Sequence, residues 1–263
     1  MILDTIVKAT HLRLERKKIK VPIKELLAKI DDKNFEATIH NRQAFAFEKA
    51  LKKKDKICFI CEVKKASPSK GIISKDFPYL SIAKEYEEAG ADAISVLTEP
   101  EYFMGKDSYL REISSSSNIP VIRKDFIIDE YQIYEAKSIG ADAVLLICSI
   151  LDTGTLKKFI AMCHKIGLSA LVEAHTEEEI ASAIEAGARV IGVNNRNLHT
   201  FDVDFTNCIN LRSLVPKDII YVAESGIKTS RDIMMLKDAG VDAVLVGEAL
   251  MRDRDKMKEW REL

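Results

Sequence analysis

The sequence repeats one phrase, Ile139-Gly-Ala-Asp-Ala-Val-Leu-Leu-Ile147, in four versions whose starts lie 50, 47 and 53 residues apart. The other versions are Ala89-Gly-Ala-Asp-Ala-Ile-Ser-Val-Leu97, Ala186-Gly-Ala-Arg-Val-Ile-Gly-Val-Asn194 and Ala239-Gly-Val-Asp-Ala-Val-Leu-Val-Gly247. In each version, a glycine typical of a helix end precedes a continuous aliphatic run, which is typical of a strand buried on both faces of a parallel sheet. The repeat therefore predicts four strands, each preceded by a helix.

A second set of four strands fits between these copies, because each interval has room for one more strand and its flanking helices. The candidates are residues 57–63, 120–123, 168–173 and 219–224. Eight parallel strands close a (β/α)8 TIM barrel, and 263 residues lie close to the ~250 typical of that fold. An open doubly wound sheet is the alternative, but the regular repeat and the missing Gly-x-Gly-x-x-Gly after the first strand argue against it.

Amphipathic patterns predict helices between the strands, at 80–89, 108–115, 130–139, 155–166, 177–186, 205–214, 230–239 and 249–260. Thr176-x-x-Glu179 predicts a capping box for the helix at 177–186. Residues 1–50 predict two or three further helices, one of which starts at Pro22 in the favoured first-turn position. We expect these N-terminal helices to cap a single barrel domain that spans residues 1–263.

Charge and hydropathy exclude several classes of protein. With 40 Lys and Arg against 41 Asp and Glu, the formal net charge of −1 argues against a chain built to bind nucleic acid or an anionic membrane. No apolar run approaches the ~20 residues of a membrane helix, and the acidic opening Met-Ile-Leu-Asp is unlike a signal peptide. We expect a cytoplasmic monomer, and no second catalytic domain because the chain ends soon after the eighth predicted helix.

The cysteines and histidines do not predict a redox or metal centre. Cys58 and Cys61 have the spacing of a redox pair, but residues three apart on a strand face opposite ways, so we expect free, buried thiols. The five histidines lack the spacing of metal ligands. We therefore expect no metal site.

The segment 57–71 is the most informative for function, because an apolar strand there runs directly into charged residues and a Ser-Pro-Ser-Lys-Gly turn. Charges at the end of a buried strand need a paired or solvated setting, which the open carboxyl end of a barrel strand provides. The period of two places Glu62 and Lys64 on one face of the strand and Lys65 on the other.

Polar residues at the carboxyl ends of the other strands predict a ring at the end of the barrel where active sites lie. Converging buried charges must be paired and tend to have shifted pKa values, so charges at five or more strand ends indicate function rather than scaffold. The ring members are Glu62, Lys64, Thr98, Glu99, Lys124, Asp125, Ser149, Glu173, Asn194, Asn195, Arg196, Glu224, Ser225, Gly226, Gly247 and Glu248.

Glycines follow the last two predicted strands, at Gly226 and Gly247. Bare backbone N–H groups beside a glycine allow a phosphate to approach closely, and TIM barrels often bind phosphate after their seventh and eighth strands. The pair therefore favours a phosphorylated small-molecule substrate.

Seven motifs, in order along the whole chain, resemble the indole-3-glycerol phosphate synthase family of tryptophan biosynthesis. They are Glu62-Val-Lys-Lys-Ala-Ser-Pro-Ser-Lys-Gly71, Val96-Leu-Thr-Glu-Pro-Glu-Tyr-Phe-Met-Gly105, Pro120-Val-Ile-Arg-Lys-Asp-Phe-Ile-Ile-Asp-Glu-Tyr-Gln-Ile-Tyr134, Leu171-Val-Glu-Ala-His-Thr176, Gly192-Val-Asn-Asn-Arg-Asn-Leu198, Ala223-Glu-Ser-Gly-Ile227 and Val246-Gly-Glu-Ala-Leu-Met251.

The resemblance implies a lyase without a cofactor, which cyclises, decarboxylates and dehydrates 1-(2-carboxyphenylamino)-1-deoxyribulose 5-phosphate to indole-3-glycerol phosphate. It implies that Lys124 is the general acid of ring closure and Glu173 the base of dehydration. Either Lys64 or Lys124 would protonate the departing hydroxyl, with Glu62 orienting Lys64.

The resemblance also implies binding roles. Asn194 and Arg196 would position the substrate, and Glu224 and Ser225 would contact its hydroxyl groups. The backbone of Gly226, Gly247 and Glu248 would bind the phosphate. Phe103 and Phe126 would flank the anthranilate ring, and Ser67 would also bind the substrate. The first helix, within residues 2–18, would cover the substrate.

Two alternatives need weighing against this interpretation. A sugar-phosphate isomerase on the same fold would need one acid–base pair, and nothing in it would require the set of Glu62, Lys64 and Lys124. A barrel that has lost catalysis and serves as a binding partner should carry substitutions among the ring residues, yet all are present.

Overall fold

A computed structural model describes residues 2–31, 42–52, 56–197 and 200–263. Eight parallel strands form a closed barrel, which confirms the predicted TIM-barrel architecture and not the open sheet. The barrel strands are β1 (Cys58–Val63), β4 (Ala93–Leu97), β5 (Val121–Lys124), β6 (Ala143–Ile147), β7 (Ser169–Ala174), β8 (Val190–Asn194), β9 (Ile220–Glu224) and β10 (Ala243–Val246). Two short strands that were not predicted, β2 (Ala66–Ser67) and β3 (Gly71–Ile72), form a hairpin after β1.

The barrel closes because its first strand pairs with its last. In the pairing of β1 with β10, Cys58 lies opposite Ala243 and Cys61 opposite Val246, while β4 pairs with the other edge of β1. Every residue of these two strands is buried, as expected for strands covered on both faces. One apolar cluster fills the barrel interior, and a larger one lies between the barrel and its helices.

Twelve α-helices occur in the described parts of the chain. They are α1 (Ile2–Lys20), α2 (Ile23–Asp31), α3 (Ala46–Leu51), α4 (Tyr79–Glu88), α5 (Asp107–Ser116), α6 (Glu130–Ser138), α7 (Thr153–Lys165), α8 (Glu177–Glu185), α9 (Asn207–Leu211), α10 (Ser230–Asp238), α11 (Glu248–Arg252) and α12 (Lys256–Arg261). Helices α4 to α8 and α10 match their predicted bounds within two residues. Residue 1 and residues 32–41 of the predicted N-terminal extension lie outside the described residues.

Two predicted helices differ from the structure. The helix predicted at 205–214 is a short α9 followed by a 3-10 turn at Arg212–Leu214. The continuous helix predicted at 249–260 is wrong, because the chain becomes extended at Asp253 (φ −152°, ψ 96°) between α11 and α12. Aspartate is a poor former of helix interiors, since its side chain competes for backbone groups, and Asp255 follows two residues later.

The start of α8 shows only half of the predicted capping box. The Thr176 hydroxyl accepts a hydrogen bond from the Glu179 N–H, but the Glu179 carboxylate accepts from the N–H of His175 rather than from that of Thr176. A complete capping box occurs instead at the start of α10, between Thr229 and Asp232. Helix α2 begins directly after Pro22, one residue later than predicted.

Cys58 and Cys61 are both buried in β1, and no disulfide joins them. None of the helices in the described parts of the chain is both long enough and apolar enough to cross a membrane.

Candidate active site

A cavity of about 700 Å³ lies at the carboxyl ends of the barrel strands. Its wall contains every residue to which the resemblance gave a catalytic or binding role, which are Glu62, Lys64, Ser67, Phe103, Lys124, Phe126, Glu173, Asn194, Arg196, Glu224, Ser225, Gly226, Gly247 and Glu248. The structure thus brings together residues from β1 through α11, as expected for the mouth of a TIM barrel.

Some members of the predicted ring do not line the cavity. Thr98, Glu99, Ser149 and Asn195 are absent from its described wall. Asn195 is fully buried, where its side chain donates to the carbonyl of Ser225 and accepts from the N–H of Cys208. The carboxylate of Glu99 accepts from three backbone N–H groups of the loop that follows it. These two residues therefore shape the backbone around the site.

Lys124 lies at the centre of the charged part of the site. Its Nζ donates to Glu173 Oε2 at 2.8 Å and to Glu224 Oε2 at 3.0 Å. Burial alone would lower the pKa of Lys124, but the charges of Glu173 and Glu224 outweigh burial and hold that pKa well above its ordinary range. Lys124 is therefore a cation that two carboxyl groups hold in one position.

The two carboxyl groups beside Lys124 have opposite pKa shifts. Burial raises the pKa of Glu224 to about 8, against the lowering effect of Lys124 and with the help of the nearby Glu173 charge. Burial acts in the same sense on Glu173, but Lys124 overcomes it and lowers the pKa of Glu173. The two shifts have opposite signs, so Glu173 favours the ionised form that can accept a proton, whereas Glu224 retains its proton to higher pH.

Two glycines leave space for these charged side chains. A Cβ atom at Gly192, within β8, would overlap the Oε1 atom of Glu224. A Cβ atom at Gly247 would overlap the Glu62 carboxylate and lie 2.8 Å from Lys64 Nζ. The sequence indicated a phosphate role for Gly247, and the structure adds a steric requirement.

Lys64 forms an ion pair with Glu62 on the cavity side of the chain. Lys65 lies outside the described wall, and its carbonyl accepts hydrogen bonds from the N–H groups of Ile73 and Ser74, which directly follow the β2–β3 hairpin. This arrangement agrees with the alternation predicted for the end of β1.

Ser225 is held in a left-handed backbone conformation with φ 67° directly after β9. Such conformations are unfavourable for residues other than glycine, and they cluster at functional sites. Gly226 follows with φ 79°, which a glycine adopts without strain. The strained exit turns the chain where the sequence predicted contacts with substrate hydroxyls and phosphate.

Asn194 and Arg196 are held by local hydrogen bonds after β8. The Asn194 side-chain oxygen accepts from the N–H of Arg196 at 2.9 Å. The Arg196 guanidinium donates to the carbonyl of Phe201 at 3.1 Å. Phe103 and Phe126 form the aromatic part of the wall, with ring centroids 6.1 Å apart and ring planes 40° apart.

Four cations in the cavity wall were missed by sequence reasoning, namely Lys70, Lys228, Arg252 and Lys256. Arg252 forms an ion pair with Glu248 at 3.1 Å, and Lys256 Nζ donates to the carbonyl of Lys228. All four lie beyond the strand ends, so a search extended a few residues past each strand could have found them. Among the described residues, no group of three or more His, Cys, Asp or Glu is arranged to hold a metal ion.

The closed barrel and the lysine–glutamate cluster at its mouth define a TIM-barrel enzyme with a charged site. A sequence profile described as Indole-3-glycerol phosphate synthase matches residues 3–263. The chain therefore belongs to the indole-3-glycerol phosphate synthase family, the carboxy-lyases of tryptophan biosynthesis, which act on a phosphorylated small molecule.

Similar proteins carry the same name over their full length. Indole-3-glycerol phosphate synthase of Ruminiclostridium cellulolyticum is 56% identical over 263 residues, which cover 100% of this chain and 98% of that protein. The protein of the same name from Endomicrobium trichonymphae is also 56% identical, with 100% and 99% covered. The one from Lachnoclostridium phytofermentans is 51% identical, with 97% and 96% covered.

Solved structures of low sequence identity share the fold. The 3-hexulose-6-phosphate synthase of Salmonella typhimurium superposes with a TM-score of 0.63 at 16% identity, covering 78% of this chain and 96% of that one. Thiamine phosphate pyrophosphorylase from Pyrococcus furiosus gives a TM-score of 0.55 at 19% identity, with 78% and 94% covered.

Proposed function

We propose that this chain converts 1-(2-carboxyphenylamino)-1-deoxyribulose 5-phosphate to indole-3-glycerol phosphate, carbon dioxide and water by general acid–base catalysis. The observation that carries the proposal is the position of Lys124, a half-buried cation held between Glu173 and Glu224 in the cavity wall. Ring closure onto a ketone needs a proton donor at the ketone oxygen, and dehydration needs a base and a second donor.

In ring closure, the aromatic carbon that bears the carboxylate attacks the ketone carbon while Lys124 gives a proton to the ketone oxygen. The new carbon–carbon bond interrupts the aromatic ring and leaves the nitrogen positively charged. Loss of carbon dioxide returns the electron pair of the breaking bond to the ring and restores its aromaticity. This step leaves Lys124 neutral.

In dehydration, Glu173 takes a proton from the ring carbon beside the nitrogen while the hydroxyl leaves as water after protonation. The overall reaction therefore consumes two donated protons and returns one. Lys64 is one candidate for the second donor, because it lies in the wall as an ion pair with Glu62. Lys124 is the other, since Glu224 lies 3.0 Å away with a pKa of about 8 and can return a proton to it.

The proposed binding roles follow the shape of the wall. Phe103 and Phe126 provide apolar faces for the anthranilate ring, with Arg196 and Asn194 positioning the substrate beside them. The backbone of Gly226, Gly247 and Glu248 would bind the phosphate, where glycine allows close approach. Ser67, Glu224 and Ser225 supply further polar contacts along the same wall.

The test is to incubate the purified, metal-free protein with the carboxyphenylamino-deoxyribulose phosphate while following indole fluorescence and carbon dioxide release. Both signals should rise together in equal amounts. Binding of the compound without either signal would contradict the proposed reaction and favour another phosphate substrate or a non-catalytic role. Failure to bind would remove the substrate assignment as well.

We further propose that residues 1–263 form one domain that acts as a monomer in the cytoplasm. The ion pairs of Arg13, Lys17 and Lys18 with residues of the barrel support a single domain. Light scattering coupled to size-exclusion chromatography should give the 29.6 kDa mass of one chain. A mass twice as large would contradict the monomer.

A further inference from the structure

We propose that Arg13 is a positioning residue that sets the spacing of Phe103 and Phe126 from outside the cavity, and thereby tunes the site for an aromatic ring. The proposal rests on the proposed function, which supplies a substrate with such a ring. Helix α1 would act on the site only indirectly, through the residues that it contacts, because no residue of α1 is part of the described cavity wall.

The Arg13 guanidinium bridges two carboxylates that belong to different strand ends. One terminal nitrogen donates to Glu99 Oε1 at 3.1 Å, and the other donates to Asp125 Oδ1 at 3.1 Å. The side chains of Glu99 and Asp125 are 0% and 1% exposed. Because buried carboxylates are held strongly by a charged partner, the arginine fixes the positions of these two carboxylates relative to each other.

Glu99 connects Arg13 to the first phenylalanine. Its Oε2 atom accepts from the N–H of Tyr102 at 2.7 Å and of Phe103 at 3.0 Å, while its carbonyl accepts from Gly105 at 2.8 Å. The loop is tightly folded, since Met104 has φ 53° and a Cβ at Gly105 would overlap the backbone of β4. The position of the Glu99 carboxylate therefore fixes the backbone of Phe103.

Asp125 connects Arg13 to the second phenylalanine. The Oδ1 atom that accepts from Arg13 also accepts from the N–H of Phe126 at 2.9 Å. The other oxygen, Oδ2, accepts from Thr98 and forms an ion pair with Arg123. Loss of Arg13 would thus leave Asp125 anchored on one side only, and would free the oxygen that holds Phe126.

The test compares two ligands that share the phosphate but differ in the ring. One is the unreactive alcohol made by reducing the ketone of the carboxyphenylamino-deoxyribulose phosphate, and the other is ribulose 5-phosphate. In Arg13→Met, affinity for the aromatic ligand should fall about tenfold, as expected from loss of well-placed aromatic contacts. Affinity for ribulose 5-phosphate should change less than about twofold, and KM should rise about tenfold while kcat changes less than about threefold.

The control is Lys18→Met, which removes another ion pair between α1 and the barrel, to Asp129 at 2.8 Å, a carboxylate that caps α6 by accepting from the N–H of Tyr131. It should leave both affinities unchanged. Arg13→Lys keeps the positive charge, but a lysine reaches only one carboxylate at a time. Its affinity for the aromatic ligand should therefore fall by about threefold rather than tenfold. If Arg13→Met yields too little folded protein, Arg13→Lys decides by the same ratio of affinities.

Equal losses for both ligands, or no loss, would overturn the role of Arg13 and leave it a purely structural residue. The wild-type protein in the same assays separates this result from the proposed function. If the wild type releases carbon dioxide and forms the fluorescent indole product, an unchanged ratio of the two ligand affinities in Arg13→Met contradicts the Arg13 proposal alone. If the wild type fails to turn over or bind the aromatic ligand, both proposals fall.

Discussion

At the residue scale, Lys124 is the side chain whose loss should matter most. Lys124→Ala should lower turnover by about 10³-fold, because it removes the donor for ring closure, while the fold and phosphate binding are retained. The matched control is Lys65→Ala, which alters a lysine outside the described cavity wall and should change turnover less than about twofold. Near-normal turnover in Lys124→Ala would remove Lys124 from the mechanism.

Glu224 predicts a pH dependence of stability. In the unfolded chain its carboxyl loses a proton near 4.5, whereas in the native state it keeps the proton until about 8. Between these two pH values the native state therefore binds more protons than the unfolded chain. The resulting contribution of Glu224 to the free energy of unfolding is fully present below pH 4.5 and is lost as the pH rises to about 8. Relative to Glu224→Gln, the wild type should lose stability across this range.

Urea unfolding of the wild type and of Glu224→Gln at a series of pH values checks this prediction. Glu15→Gln, which changes an exposed glutamate on α1, serves as the control and should run parallel to the wild type. Parallel profiles for Glu224→Gln as well would show that its pKa is ordinary in the folded protein.

The residues of the wall could be predicted from sequence because active groups of a barrel follow its strands, and strand ends are visible as the point where an aliphatic run stops. Glu99 was grouped with them because a buried carboxylate that shapes a loop looks the same in sequence as one that faces a substrate. Arg13 could not be found at all, since it lies 86 residues from Glu99 and its role depends on how α1 docks.

At the element scale, the complete capping box at the start of α10 makes a prediction about stability. Thr229→Ala removes the hydroxyl that accepts from the Asp232 N–H, so the free energy of unfolding should fall by about 1 kcal/mol. Turnover of the folded protein should not change. Ser115→Ala, at an exposed position in the last turn of α5 where the hydroxyl donates to the Arg111 carbonyl, should change stability by less than about 0.5 kcal/mol. Chemical denaturation measures both, and equal effects would contradict a capping role.

Elements with continuous aliphatic runs were predicted well, because burial on both faces leaves no other composition for a barrel strand. The β2–β3 hairpin was missed, since two-residue strands carry no periodic signal. The break between α11 and α12 was missed because the apolar residues on both sides, such as Leu250 and Met257, are buried in the same outer core and so share a helical pattern.

At the scale of the whole molecule, the last helix holds the outer core together. Trp260, on α12, is 1% exposed and belongs to the cluster between barrel and helices. Trp260→Ala should lower the free energy of unfolding by about 3–5 kcal/mol through lost contacts and a new cavity. Leu263→Ala, at a position 39% exposed, should have little effect.

Urea unfolding followed by circular dichroism gives both values, since Trp260 is the chain's single tryptophan and its removal abolishes the intrinsic tryptophan signal. Turnover per folded molecule should stay near that of the wild type in Trp260→Ala, because the residue lies outside the described cavity wall. A stability loss below about 1 kcal/mol would mean that the outer core closes without this side chain.

Because β1 pairs with β10, a chain growing on the ribosome cannot close its barrel until the last strand has been synthesised. Glu62 and Lys64 are made early, yet they lie against Gly247, which follows the final strand. A nascent chain stalled before residue 243 would carry most of the charged groups with no closed wall around them. Synthesis of β10 thus sets the earliest moment at which the enzyme's cavity can exist.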